Sequence, residues 1–258
     1  MTRTIVAALT LAALTAQNPP APPPPTDCAE TAAALTRLIG NDVRLRDWPN
    51  LARYRELNRT LPAPRAGESR VVFMGDSITD IWQQDRFGFF VPSKPYVGRG
   101  ISGQTTPQML VRFRPDVIDL QPKAVVILAG TNDIAGNTGP MTDEDVERNL
   151  ASMAELAKAH GIKVVMASIT PTSAYHPPQN GGAPQTTTRP MARIRAINDW
   201  MKKYAADNGH VYLDYFTPML DSTGVMKAEL TGDDLHPNAA GYSIMAPLAD
   251  AAIQRALR

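Results

Sequence analysis

Five short apolar runs punctuate the chain: Val71–Met74, Tyr96–Val97, Ala124–Leu128, Val164–Ala167 and Val211–Leu213. They are continuous instead of alternating, the pattern of parallel strands covered on both faces. Between them the apolar positions take helical spacing. Val146, Leu150, Met153 and Leu156 follow a capping box, Thr142 with Asp145, and Gly161 closes that segment. Met191, Ile194, Ile197 and Met201 mark another helix, and Asn238 is the expected cap of a last one running to the C-terminus. Strands alternating with helices predict an α/β fold: a doubly wound three-layer sandwich with a five-stranded parallel sheet and helices on both faces. In such a sheet the site lies at the carboxyl ends of the strands.

Ahead of this domain, expected over residues 70–258, the pattern changes. Leu35, Leu38 and Ile39, then Leu51, Tyr54 and Leu57, predict a helical extension over residues 27–69, its second helix starting at Pro49. Residues 17–26 are proline-rich and read as an extended linker. Residues 1–16 combine Arg3 with an apolar stretch from Ile5 to Leu14 and a cleavage point at Ala16. That is the layout of a secretory signal, too short to span a bilayer, so the expected protein is periplasmic or secreted, with no stable membrane span after cleavage.

Composition narrows the partners. The 258 residues, 43% of them hydrophobic, suit one domain with a substantial core. A net charge of +1 supplies no field for nucleic acid. The single cysteine, Cys28, allows neither a disulfide framework nor a cysteine-based metal site. The polar, rigid Pro25-Thr26-Asp27 before it is unlike a lipid-attachment site. No P-loop and no zinc-helix motif occurs, so neither cofactor nor metal is expected.

The chemistry-bearing residues come in four stretches. Gly75-Asp76-Ser77 follows the first strand and presents a hydroxyl at its carboxyl end, where a helix N-terminus favours negative charge. Asp233-Asp234-Leu235-His236 follows the last strand. A carboxylate three residues before a histidine can fix its tautomer, and the histidine can take the proton that makes Ser77 a nucleophile. Asp233 is the first choice for that carboxylate and Asp234 the second. Between them, Gly103 offers a backbone N–H that can approach a ligand closely. Asn132, in Gly130-Thr131-Asn132-Asp133, offers an amide. With the N–H of Ser77 these make three donors for an oxyanion.

Taken in order, the four stretches resemble the blocks of the SGNH (GDSL-type) hydrolase family, from about Arg70 to the C-terminus. The Gly-Thr-Asn-Asp form is most similar to small esterases related to platelet-activating-factor acetylhydrolase and to carbohydrate acetylesterases. The resemblance implies a flavodoxin-like fold, no metal, and ester hydrolysis through an acyl-enzyme: Ser77, Asp233 and His236 catalytic, and Ser77, Gly103 and Asn132 as oxyanion hole. A short acyl group, acetyl on a carbohydrate first, is the expected substrate, since residues 170–189 are polar and form no apolar lid. Lysophospholipase or thioesterase action on longer chains is the alternative, and a non-catalytic carbohydrate-binding or envelope protein is the rival of another class.

A few residues carry secondary expectations. Gly98-Arg99-Gly100-Ile101-Ser102-Gly103 spells a dinucleotide fingerprint, but after the second strand and without its usual context. Trp82 could wall a substrate pocket or pack under the N-terminal helices. Arg99, Tyr175 and His176 could touch substrate, with plain surface roles as the default. Asp76 and Asp133 read as loop-organising acceptors. His160 falls at a helix C-terminus, and His210 just before a strand.

Overall fold

The computed structural model describes residues 27–178 and 181–258, so the signal and linker segments predicted over residues 1–26 lie outside the described residues. Five parallel strands form one sheet in the order β2-β1-β3-β4-β5. These are β1 Val71–Gly75, β2 Tyr96–Gly100, β3 Ala124–Leu128, β4 Lys163–Ala167 and β5 Val211–Leu213. The chain departs from β1 to one neighbour and returns past it to the other, so loops diverge on either side of β1 and leave a crevice at the strands' carboxyl ends.

Side chains of successive strand residues go to opposite faces and feed two separate cores. One contains Val72, Met74, Val125, Ile127, Val164 and Met166 and is covered by α4 (Thr106–Asp116), α6 (Asp143–Ala159) and α8 (Met191–Asn208). The other contains Phe73, Val126, Leu128, Val165 and Leu213, under α3 (Ser77–Trp82) and α9 (Ala239–Ala256). The expected helix signals hold locally. Thr142 and Asp145 form a reciprocal capping box on α6, and the Asn238 side chain accepts from the Ala240 and Gly241 N–H groups at the start of α9.

The N-terminal extension departs from its pattern. Among the described residues the boundary between two units falls between Val43 and Arg44. Helix α1, Cys28–Arg46, leaves Leu35 and Leu38 exposed. No helix starts at Pro49. Residues 47–54 make turns, and α2 is only Arg55–Thr60, with Leu57 exposed. Asp47 is the reason. Its carboxylate accepts from the Leu51 and Ala52 N–H groups and closes a compact turn. Tyr54 alone of the three spaced apolar residues is buried, with its hydroxyl donating to the Gly100 carbonyl.

Trp82 is a core residue. It is 2% exposed, stacks on Phe89 at 4.2 Å and on Tyr242 of α9 at 5.4 Å, and meets Phe73 edge-on. This aromatic cluster fixes α3 from below, and the Tyr242 hydroxyl donates to the Ile78 carbonyl of the same helix.

Candidate active site

Ser77 stands at the first position of α3, straight after β1. The turn is tight. A Cβ on Gly75 would lie 2.1 Å from the Thr79 hydroxyl and 3.1 Å from the Leu128 carbonyl, so a side chain there would push α3 off the strand end. Asp76 caps α3, its Oδ1 accepting from the Ile78 N–H at 2.9 Å. That is the expected organising role. Its surroundings are less ordinary: Asp76 is fully buried, Oδ2 has no partner, and burial pushes its carboxyl up to about 6. The Ile78 N–H and the His236 side chain act against that rise.

His236 reaches Ser77 from the far end of the chain. Its Nε2 lies 2.9 Å from the Ser77 Oγ, and its Nδ1 lies 2.6 Å from Asp233 Oδ2. Asp233 also accepts from the Leu235 and His236 backbone N–H groups, at 3.1 and 2.8 Å. Its burial works against ionisation, but these hydrogen bonds prevail and hold the carboxyl well below the usual carboxylate range. A carboxylate at Nδ1 keeps the proton there and leaves Nε2 as the acceptor facing the hydroxyl.

Asp234, the second choice for this role, goes elsewhere. Its backbone adopts φ +66°, in the left-handed region, which sends two successive carboxylates to different partners. Asp234 accepts from Ser173 Oγ at 2.5 Å, from the Tyr175 and His176 N–H groups at 3.1 and 2.7 Å, and lies 3.0 Å from His176 Nδ1. It fastens the segment after β4 to the loop that carries His236.

The other two expected donors are also brought together. The loop after β2 holds Gly103 at φ +80° and is clasped by the loop after β3. Asn137 Nδ2 donates to the Gly103 carbonyl at 3.0 Å. Asn132 Nδ2 donates to the Gln104 carbonyl at 3.0 Å. Asp133 accepts from the Thr106 N–H and hydroxyl at 2.9 and 2.5 Å, the organising role its position predicted. On the opposite side, Pro49 and Trp48 carbonyls accept from Gln104 and Gln108 side chains, so residues 47–54 brace the same loop. Beneath it the wholly buried Arg112 ties the Gly75 and Arg99 carbonyls, the ends of β1 and β2, to each other.

Several secondary expectations resolve as structure. The dinucleotide-like glycines Gly98 and Gly100 lie inside β2, paired with Phe73 and Gly75 of β1, and so make no phosphate-cradling turn. Arg99 is buried, donates to Asn58 and the Gly98 carbonyl, and lies over the Tyr54 ring. Tyr175 is 50% exposed and donates to Asp221. His160 caps the end of α6, and His210 precedes β5. Among the described residues no cluster of three or more His, Cys, Asp or Glu is placed to hold a metal ion.

Sequence reasoning missed Arg189. It is 8% exposed and follows the short helix α7, Gln185–Thr188. Its Nη2 donates to Asn132 Oδ1 at 3.4 Å. Burial draws its pKa down, and the charges of Asp76 and Asp233 oppose that. The only local signal is an arginine before a proline in a polar loop, which is indistinguishable from a solvated one.

A model of the GDSL-like lipase/acylhydrolase family matches residues 73–244, from β1 into α9. The chain belongs to this family of serine ester hydrolases. An acylhydrolase-assigned structure from Bacteroides fragilis is 42% identical, with TM-score 0.75, covering 82% of this chain and 99% of that one. Esterase TesA from Pseudomonas aeruginosa is 29% identical over 141 residues, 55% of this chain and 60% of that protein. The chain thus spans less than two thirds of the curated relatives it matches. Axe2, an acetyl-xylooligosaccharide esterase from Geobacillus, shares the fold at 20% identity and TM-score 0.58, over 74% of this chain and 95% of that one. All four stretches that the GDSL-type resemblance singled out lie within the matched residues. Among the described residues no helix is long and apolar enough to cross a membrane.

Proposed function

We propose that this GDSL-family protein hydrolyses carboxylic esters through a Ser77 acyl-enzyme. The observation that carries the reading is the unbroken relay from the Ser77 hydroxyl through His236 to Asp233, at 2.9 and 2.6 Å. His236 Nε2 takes the Ser77 proton as Oγ attacks the carbonyl carbon. The oxygen that becomes negative is met by the N–H groups of Ser77 and Gly103 and the Asn132 amide, whose Nδ2 keeps a second N–H beyond the one given to Gln104. Collapse of the tetrahedral adduct breaks the ester C–O bond, and His236 returns the proton to the leaving alcohol. Water, deprotonated by the same ring, then attacks the acyl carbon, and Ser77 recovers its proton as the acid departs. Asp233 stays ionised and holds the imidazole.

The substrate reading is a short acyl group, acetyl on a carbohydrate first. Trp82 and its aromatic neighbours are spent in the core instead of lining an acyl groove. The loop that Asp234 ties to the segment carrying His236 holds the solvent-accessible Tyr175 and His176, polar groups suited to a hydroxylated alcohol. The fold neighbour Axe2 acts on acetylated xylooligosaccharides. Export is part of the same reading and rests on the leader-like residues 1–16. A rate panel of acetyl, butyryl, octanoyl and palmitoyl esters tests it. The fastest turnover is expected at acetyl or butyryl. A maximum at eight carbons or more overturns the short-acyl preference in favour of a lysophospholipase or thioesterase, and no Ser77-dependent turnover of any ester overturns the enzyme reading.

A further inference from the structure

We infer that Arg189 is a positioning residue for the oxyanion hole, acting by orienting and polarising the Asn132 amide. This rests on the reading of Asn132 as an oxyanion donor.

An asparagine side chain placed at a reacting oxygen is useful only if its nitrogen, not its oxygen, faces that oxygen. Two contacts decide this for Asn132. Gln104's carbonyl accepts from Nδ2 at 3.0 Å, and Arg189's Nη2 donates to Oδ1 at 3.4 Å. A guanidinium cannot accept a hydrogen bond, so the reversed amide would set N–H against N–H at Arg189 and oxygen against oxygen at Gln104. The same contact places a cation on the amide oxygen. It draws electron density toward Oδ1 and makes the Nδ2 hydrogens better donors, as in any chain of hydrogen bonds.

Arg189 is held for this task. Its Nη1 donates to Gln185 Oε1 at 2.6 Å and to Thr188 Oγ1 at 3.1 Å, both on α7, and its backbone N–H donates to the Gln185 carbonyl at 2.8 Å. The short helix therefore acts as a bracket that aims the fork at Asn132. Arg189 is 8% exposed and its buried Nε has no partner, an arrangement that a surface ion pair would not require. No acidic side chain forms a salt bridge with it among the described contacts, and the hydrogen bond its guanidinium makes outside α7 is to Asn132.

A double-mutant cycle on the full chain tests the inference, with p-nitrophenyl acetate as substrate and melting temperature recorded for every variant. Arg189→Met is expected to lower kcat about 30-fold with KM changed less than about 3-fold, the mark of an interaction felt in the transition state. In an Asn132→Ala background the same change is expected to lower kcat less than about 3-fold. Arg189→Lys, which keeps the charge without the fork, should recover only part of the loss. Gln185→Ala with Thr188→Val frees the bracket and leaves the guanidinium. It should lower kcat a few-fold, again only when Asn132 is present, and it serves as the readout if Arg189→Met does not fold. Losses that multiply fully across the two backgrounds, or that appear in KM alone, overturn the inference. If wild type and Ser77→Ala hydrolyse the ester equally, the reading of the whole site falls, and the Arg189 assignment with it. A Ser77- and Asn132-dependent enzyme with multiplicative Arg189 losses defeats the Arg189 assignment alone.

Discussion

Two Asp–His pairs stand side by side in this molecule, and they are locally almost the same. Asp233 receives the side chain and backbone N–H of His236. Asp234 receives the side chain and backbone N–H of His176. Both carboxyls are held below their usual range by those bonds, against the opposing effect of burial. The difference lies at the far side of each ring. His236 Nε2 meets Ser77, delivered by a strand that begins about 160 residues earlier in the chain, whereas among the described residues no hydroxyl is hydrogen-bonded to His176 Nε2. A carboxylate and an imidazole in contact are thus a common structural motif. What distinguishes the proposed proton relay is the hydroxyl brought to it at the end of a different strand.

The comparison can be broken by mutation, most severely at the first pair. Ser77→Ala and His236→Ala should each lower kcat on p-nitrophenyl acetate by about 10,000-fold or more, with the melting temperature within a few degrees of wild type. Residual turnover within 10-fold of wild type in either variant would erase the distinction between the pairs. Asp233→Asn should cost less, about 100- to 10,000-fold, because the ring is still held but its tautomer and the stabilisation of its charged form are compromised.

At the second pair the balance reverses. Asp234→Asn should leave kcat within about 10-fold but lower stability by about 1–3 kcal/mol, since Ser173 and the 175–176 backbone lose a charged acceptor. Chemical denaturation checks this, and a kcat loss as large as that of Asp233→Asn would show that both carboxylates serve the relay.

A third carboxylate sharpens the contrast through its opposite sign. Asp76 is raised to about 6 by burial, so folding favours its neutral form. Its contribution to stability is complete below the unfolded value near 3.8 and is lost as pH rises through about 6. Asp233, held low, behaves the other way: its contribution is present above the ordinary carboxylate value and is lost on strong acidification. Asp76→Asn retains a capping oxygen for Ile78 and cannot ionise. Its stability relative to wild type should therefore increase by about 2 kcal/mol between pH 4 and pH 7. An unchanged difference across that range would show that Asp76 titrates normally.

Much of this was legible in the residues alone. The continuous apolar runs announced the strands, because a strand buried on both faces has no polar positions to alternate. Thr142 with Asp145, and Asn238, announced helix starts, because caps act within one turn. The proposed site residues Ser77, Gly103, Asn132, Asp233 and His236 are read from local motifs in a fixed order, and the structure brings His236 against Ser77 and Asp233. The extension was misread over residues 47–54, where Asp47 closes a turn that spacing could not reveal. Trp82 and Arg99 were offered to substrate, yet a ring stacked on Tyr242 and a guanidinium laid over Tyr54 depend on partners far away in sequence.

The sequence by itself settled the strands and the long helices of residues 70–258 and which chemical groups the loops carry, since propensity, capping and strand burial are written in neighbouring residues. Only the tertiary structure decided between Asp233 and Asp234, set Arg189 against Asn132, and brought the Ser77 hydroxyl to His236. Those outcomes depend on distances between segments that the backbone joins only through the whole sheet, and no local pattern encodes them.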